Sequence, residues 1–157
     1  MIDKWYSYIN RNSRHEKYGD DCQVVTAVNA YYHLTGNKIK HESDDYYELC
    51  ELAKANWGSA ICIEKVHDKL GIEVYDAEKS LYLDRTMVDP IECSVWTSKT
   101  GCHSTLIIDH CEKSDAYRVC NLRYKTTTDG WIFSENLREI VSDPNSGWAV
   151  RKFRLKK

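Results

Sequence analysis

Polar and apolar positions follow two different rhythms along this chain. Between Cys22 and Leu34, the residues Val24, Val25, Val28, Tyr31 and Tyr32 recur at spacings of three and four, the period of one helix face. Gly36 follows as a C-terminal stop. A second helix is predicted over about 43–56. Ser43 caps it, acids fill its first turn, and Tyr46, Leu49, Cys50 and Ala53 form its apolar stripe. A third is predicted over about 59–70, with Ser59 as cap and Gly71 as stop. Beyond Gly71 the rhythm shortens to two. GIEVYDA, IECSVWTS, CHSTLIIDHC and AYRVCNLRY read as strands, GWIF as a short strand running into a helix opened by Ser134, and GWAVRKFRL as a final strand. Residues 1–18 are irregular or hold one short strand. Helices crowd the first half and a mostly antiparallel sheet fills the second, an α+β layout.

Length changes little in this picture. The 157 residues suit one domain over 1–157, with a helical part over about 19–71 and a sheet part over about 72–155. The first residues lack the apolar core of a secretion signal, and no apolar run approaches the ~20 residues of a membrane helix. The expectation is a soluble, cytoplasmic protein with no membrane partner. Net charge is −2, so no large basic face is implied. The basic tail RKFRLKK reads as the solvated face of a last strand with a frayed end; one short run gives little counterion release, and no nucleic-acid partner is expected.

Seven cysteines, an odd count without a secretion signal, argue for reduced thiols. Cys93, Cys102, Cys111 and Cys120 recur every nine residues. The close pairs of zinc sites are missing, so these four read as small hydrophobes on strands, and neither metal nor cofactor is expected.

Cys22 stands apart. It opens a predicted helix, where unpaired N–H groups carry partial positive charge and favour a thiolate. Asp20 and Asp21 oppose this charge, although either can cap the helix. His103 stands at the mouth of an apolar strand, where a side chain can face a cleft and act as the base a cysteine nucleophile needs. A turn near Cys111 to Asp115 folds the next strand back and sets His103 opposite the stretch Leu122 to Tyr124. Asn121 then lies one to three positions away, within diagonal reach, where its side chain can accept the imidazole Nδ1–H. Asp109 is the alternative orienter, but it lies six residues along the same strand, too far at ~3.3 Å per residue.

A cysteine opening an N-terminal helix, then GCHSTLIID, then a strand ending in a polar residue resembles the papain-like cysteine peptidases, and most of all their bacteriocin-processing branch. The resemblance spans roughly Glu16 to Val150 in element order. It implies Cys22 as nucleophile, His103 as general base and acid, and Asn121 as orienter. The family carries a glutamine six residues before the cysteine as oxyanion donor; here that position is Glu16, whose carboxylate cannot donate, and the adjacent His15 is the substitute. Gln23 stands where the family often has glycine after the cysteine, GCH replaces its GH, and Asn121–Leu122 replaces its frequent Asp-Pro. The implied activity is hydrolysis of a peptide, isopeptide or other amide in a peptide or protein substrate, through an acyl-enzyme. Transfer of the acyl group to an amine uses the same residues. A catalytically inactive fold used as a binding or inhibitory module is the non-enzymatic alternative. Oligomeric state leaves no mark on this sequence.

Overall fold

The computed structural model describes residues 7–56, 60–78, 87–97, 101–122, 130–142 and 150–157. Four helices accompany six strands among them: α1 (Cys22–Thr35), α2 (Asp44–Ala53), α3 (Ile63–Lys69), β1 (Ile72–Glu78), β2 (Ile91–Thr97), β3 (Gly101–Cys111), β4 (Ala116–Cys120), β5 (Gly130–Phe133), α4 (Ser134–Ile140) and β6 (Val150–Leu155). The strands form one antiparallel sheet in the order β1-β6-β2-β3-β4-β5. The α+β reading holds. A short 3-10 helix, Glu16–Tyr18, precedes α1.

The helix ends follow their chemistry. Gly36 closes α1 at φ 78°, with its N–H bonded to the Tyr32 carbonyl. Ser43 caps α2, its side chain accepting the Tyr46 N–H. For α3 the structure differs: the helix begins at Ile63, with Cys62 at the cap position and no side-chain cap. The expected cap, Ser59, lies outside the described residues. β4 ends at Cys120, four residues short of the apolar alternation, because Asn121 takes a left-handed φ of 60°.

Side chains alternate across the sheet and divide its middle into two faces. Ile91, Cys93 and Val95 of β2 and Ile107 of β3 form one apolar core with Leu137 and Val141 from the α4 side. On the opposite face, Ser104 of β3 meets Thr26 of α1, and Leu106 packs in a cluster with Ala30. The Cys22 end of α1 therefore lies beside the first residues of β3.

The segment before α1 is an extended strap. Asn29 grips Ile9 through both main-chain groups at 2.8 Å, and both Asp21 carboxylate oxygens accept the Ser13 N–H at 3.1 and 3.0 Å. The spacings agree: from Asp21 to Asn29 a helix rises ~12 Å, and from Ile9 to Ser13 an extended chain covers ~13 Å. The strap runs antiparallel to α1 and ends beside Cys22.

The four regularly spaced cysteines divide. Cys93 and Cys120 are buried, as expected of small hydrophobes, but Cys102 is exposed and Cys111 partly so at the β3–β4 turn. The basic tail is largely occupied within the molecule: Arg151 pairs with Glu92, Arg154 with Glu73 at 2.8 Å and Lys156 with Asp68 at 2.8 Å. Among the described residues, no helix is long and apolar enough to cross a membrane.

Candidate active site

Cys22 is the first residue of α1. The backbone amides of Ser104, the residue after His103, and of Gln23 in its own first turn favour its thiolate form. The thiol thus lies within one residue of the His103 backbone. This contact is available because β4 departs from β3 at Asn121; the β3–β4 register ends at Leu106↔Cys120.

His103 is buried, and its Nε2 meets the Asn121 backbone carbonyl at 2.5 Å. A carbonyl oxygen only accepts, so Nε2 carries the proton and Nδ1 is the basic nitrogen. The structure brings Asn121 to His103, but through the main chain and not through the side-chain oxygen. The left-handed backbone at Asn121 turns its carbonyl toward the imidazole. Its side chain turns to the strap instead, where Nδ2 donates to Asn12 Oδ1 at 3.2 Å. Asp109 is exposed, toward the far end of β3 from His103.

His15 and Glu16 are placed differently from the expectation. Both are exposed. The His15 ring packs on Tyr18 and Tyr47 with centroids 5.0 and 4.9 Å away, and its Nδ1 accepts the Lys17 N–H at 3.1 Å. These contacts tie the residue to the 3-10 turn and α2, and no hydrogen bond joins either residue to Cys22 among the described residues. The cause is local: Nδ1 is committed to capping its own 3-10 turn, and the ring is held by its packing on Tyr18 and Tyr47.

The electrostatics also depart from the simple helix-end argument. Burial pushes the Cys22 thiol up to about 11, with Glu92 and Asp21 adding to the rise and the Ser104 and Gln23 amides opposing it. Desolvation outweighs the helix end. Asp21 occupies the cap position without capping; its carboxylate takes the Ser13 N–H and the Tyr46 hydroxyl. Cys50 and Cys93 are pushed up by burial to about 12, whereas the Cys111 thiol is held below its usual value by Ser114.

A buried polar network underlies the site. Thr26 Oγ1 and Ser104 Oγ are 2.8 Å apart, Ser104 Oγ donates to Glu92 Oε2 at 2.7 Å, and Glu92 pairs with Arg151. Glu92 is fully buried. Sequence reasoning missed Asn12, Ser104 and Glu92. The polar positions of IECSVWTS were the available signal for Glu92, and they look the same whether the polar face meets water or a helix.

No protein-family profile and no curated protein matches this chain. Among solved structures, the chain is similar to the peptidase domain of Streptococcus ComA, a bi-functional ABC transporter involved in a quorum sensing pathway. The TM-score is 0.64 at 15% identity, covering 94% of this chain and 97% of that chain. Likeness at this identity is a likeness of fold.

Proposed function

We propose that the protein is a small papain-like cysteine hydrolase acting on a peptide, isopeptide or related amide. The carrying observation is that Cys22 opens α1 where that helix meets the start of β3, while His103 on that strand is fixed through Nε2 by Asn121. In this reading the resting thiol is neutral. As Sγ attacks the scissile carbonyl carbon, its proton passes to His103 Nδ1, and the Cys22 backbone N–H holds the oxyanion. The imidazolium then protonates the leaving amine as the carbon–nitrogen bond breaks. Water, deprotonated by the same nitrogen, releases the acid and restores the thiol.

The test is cleavage of a mixed peptide library followed by mass spectrometry. Cys22→Ala is expected to remove cleavage by at least ~10³-fold with an unchanged melting temperature. Asn121→Gly, which keeps the carbonyl and accepts the left-handed backbone, should retain most of it. Equal cleavage by wild type and Cys22→Ala would end the proposal.

The thiol's rise to about 11 and the outward placement of His15 and Glu16 favour a second reading, a fold retained as a binding module. In that case Cys22→Ala leaves the cellular effect of the protein intact.

A further inference from the structure

The strap borders a second feature. At its start, Ser7, Tyr8, Ile9, Asn10 and Arg11 face Lys38, Lys40 and His41 across an open groove of about 420 Å³. Three cations, Arg11, Lys38 and Lys40, line it with His41, whose pKa burial holds below the usual value, and no acidic side chain does. Unlike the tail cations described above, Arg11, Lys38 and Lys40 have no ion-pair partner among the described residues. The nearby acid Glu42 accepts the Arg14 N–H at 3.0 Å.

Two polar atoms of residues that line the groove, Asn10 Oδ1 and His41 Nε2, are buried and have no hydrogen-bond partner among the described residues. The Asn10 amide orientation is set by its Nδ2, which donates to the Tyr8 carbonyl at 3.3 Å and leaves Oδ1 over. The His41 ring stands edge-on to Tyr46 at 4.9 Å. Leaving such groups unmet costs free energy, and a ligand that meets them recovers it. Oδ1 requires a donor. Free phosphate at neutral pH is a poor one, whereas a peptide backbone N–H is a good one, and acidic side chains on the same peptide answer the cations.

From these observations we infer that the groove binds an acidic peptide segment, with main-chain N–H groups on Asn10, carboxylates on Arg11, Lys38 and Lys40, and a hydrogen bond to the His41 ring. The groove lies at the Asn29 end of the strap, and Cys22 is seven residues back along α1, ~10 Å away. A single extended peptide of a few residues spans that distance. The segment is thus read as a part of the substrate lying away from the scissile bond, and only this assignment to substrate rests on the hydrolase reading.

The experiment measures binding alone, on the Cys22→Ala protein, by fluorescence anisotropy with a fluorescein-labelled hexapeptide carrying four glutamates. A counterpart with four glutamines is the reference. The glutamate peptide is expected to bind about tenfold tighter at low salt and to lose the advantage as salt rises. Lys38→Glu with Lys40→Glu should weaken it about tenfold or more. Lys113→Glu with Lys157→Glu, an equal charge change elsewhere on the surface, should leave it within about twofold. Equal binding of the two peptides, or equal loss in both double variants, would overturn the inference. Displacement of the probe by inorganic phosphate at concentrations below those of unlabelled peptide would overturn the peptide assignment. Because no bond is cleaved in this assay, failure to detect hydrolysis elsewhere leaves its outcome unaffected.

Discussion

The two faces of the sheet solve the same packing problem with different chemistry. Toward α4, Ile91, Cys93, Val95, Ile107, Leu137 and Val141 form an apolar core, and His103 and Thr105 on the same face of β3 meet the Asn121 and Cys120 carbonyls. Toward α1 and α3, the same two strands present Glu92, Ser94 and Ser104, all buried, and Thr26, Ser104, Glu92 and Arg151 are linked in sequence by two hydrogen bonds and an ion pair. The apolar face contributes stability through area. The polar face contributes little net stability, since desolvating a carboxylate and a guanidinium offsets most of their attraction. It holds fixed dipoles and charges instead, and the Ser104 amide at Cys22 belongs to the same stretch of β3. The site draws on both faces, with the Thr26–Ser104–Glu92 network on one and the His103 ring on the other.

Breaking the polar face from one side should produce the largest effect. Glu92→Ala strands the Arg151 guanidinium and the Ser104 hydroxyl, and a loss of about 3–5 kcal/mol is expected in urea unfolding. Glu92→Met combined with Arg151→Leu should recover most of it. If the double variant is as unstable as the single one, the network is a source of cohesion after all. The contrasting cut, Leu137→Ala, leaves a cavity in the apolar face and should cost about 2–5 kcal/mol with no polar partner able to rescue it. Thiol reactivity at Cys22 should follow the first cut and ignore the second.

A milder probe is pH. His67 of α3 is buried, its ring lies 5.2 Å from Phe153, and Nε2 has no partner among the described residues. Burial holds its pKa below the usual value, against the pull of Glu92, Asp68 and Glu64 and together with the push of Arg151. The folded state therefore binds fewer protons than the unfolded chain. The stability associated with the neutral ring is present above the unfolded value, about 6.5, and is lost as pH falls through and below it. Urea midpoints measured from pH 7.5 to 5 should fall more steeply for wild type than for His67→Gln. Parallel curves would show that the ring is as easily protonated in the fold as outside it.

What the sequence disclosed about these regions depends on whether a feature is periodic. The helix at Cys22 and the strand at His103 follow regular spacing, and the register across the β3–β4 turn was legible because the turn is short. The β3–β4 pairing ends at Leu106↔Cys120, short of His103, and Arg123 and Tyr124 of the stretch expected opposite it lie outside the described residues. The strap over 9–13 has no period, and Asn29 and Asp21, which hold it, look like ordinary polar residues on a helix. Period-two alternation in IECSVWTS shows that two faces differ, and cannot distinguish a polar face against water from one against α1. The route from Asn121 to His103 was hidden for another reason: it runs through a main-chain carbonyl, which every residue has, and through a left-handed φ that only weakly favours asparagine.

The smallest expected effect concerns Glu16, where the sequence pattern and the structure point in opposite directions. By position it stands where the resembling family has its oxyanion glutamine, and Glu16→Gln would then restore a donor worth ~10²–10³ in rate. In the structure Glu16 is the exposed first residue of a 3-10 turn whose neighbours, His15 and Tyr18, pack toward Tyr47 of α2. An amide placed there remains on the exposed face of that turn unless the turn itself rearranges. Glu16→Gln should therefore change peptide cleavage by less than about twofold and the unfolding free energy by no more than ~0.5 kcal/mol, as for other surface substitutions. A rise of a hundredfold would mean that the 3-10 turn opens when substrate binds and that the strap, fixed to α1 at Asn29 and Asp21, is its hinge.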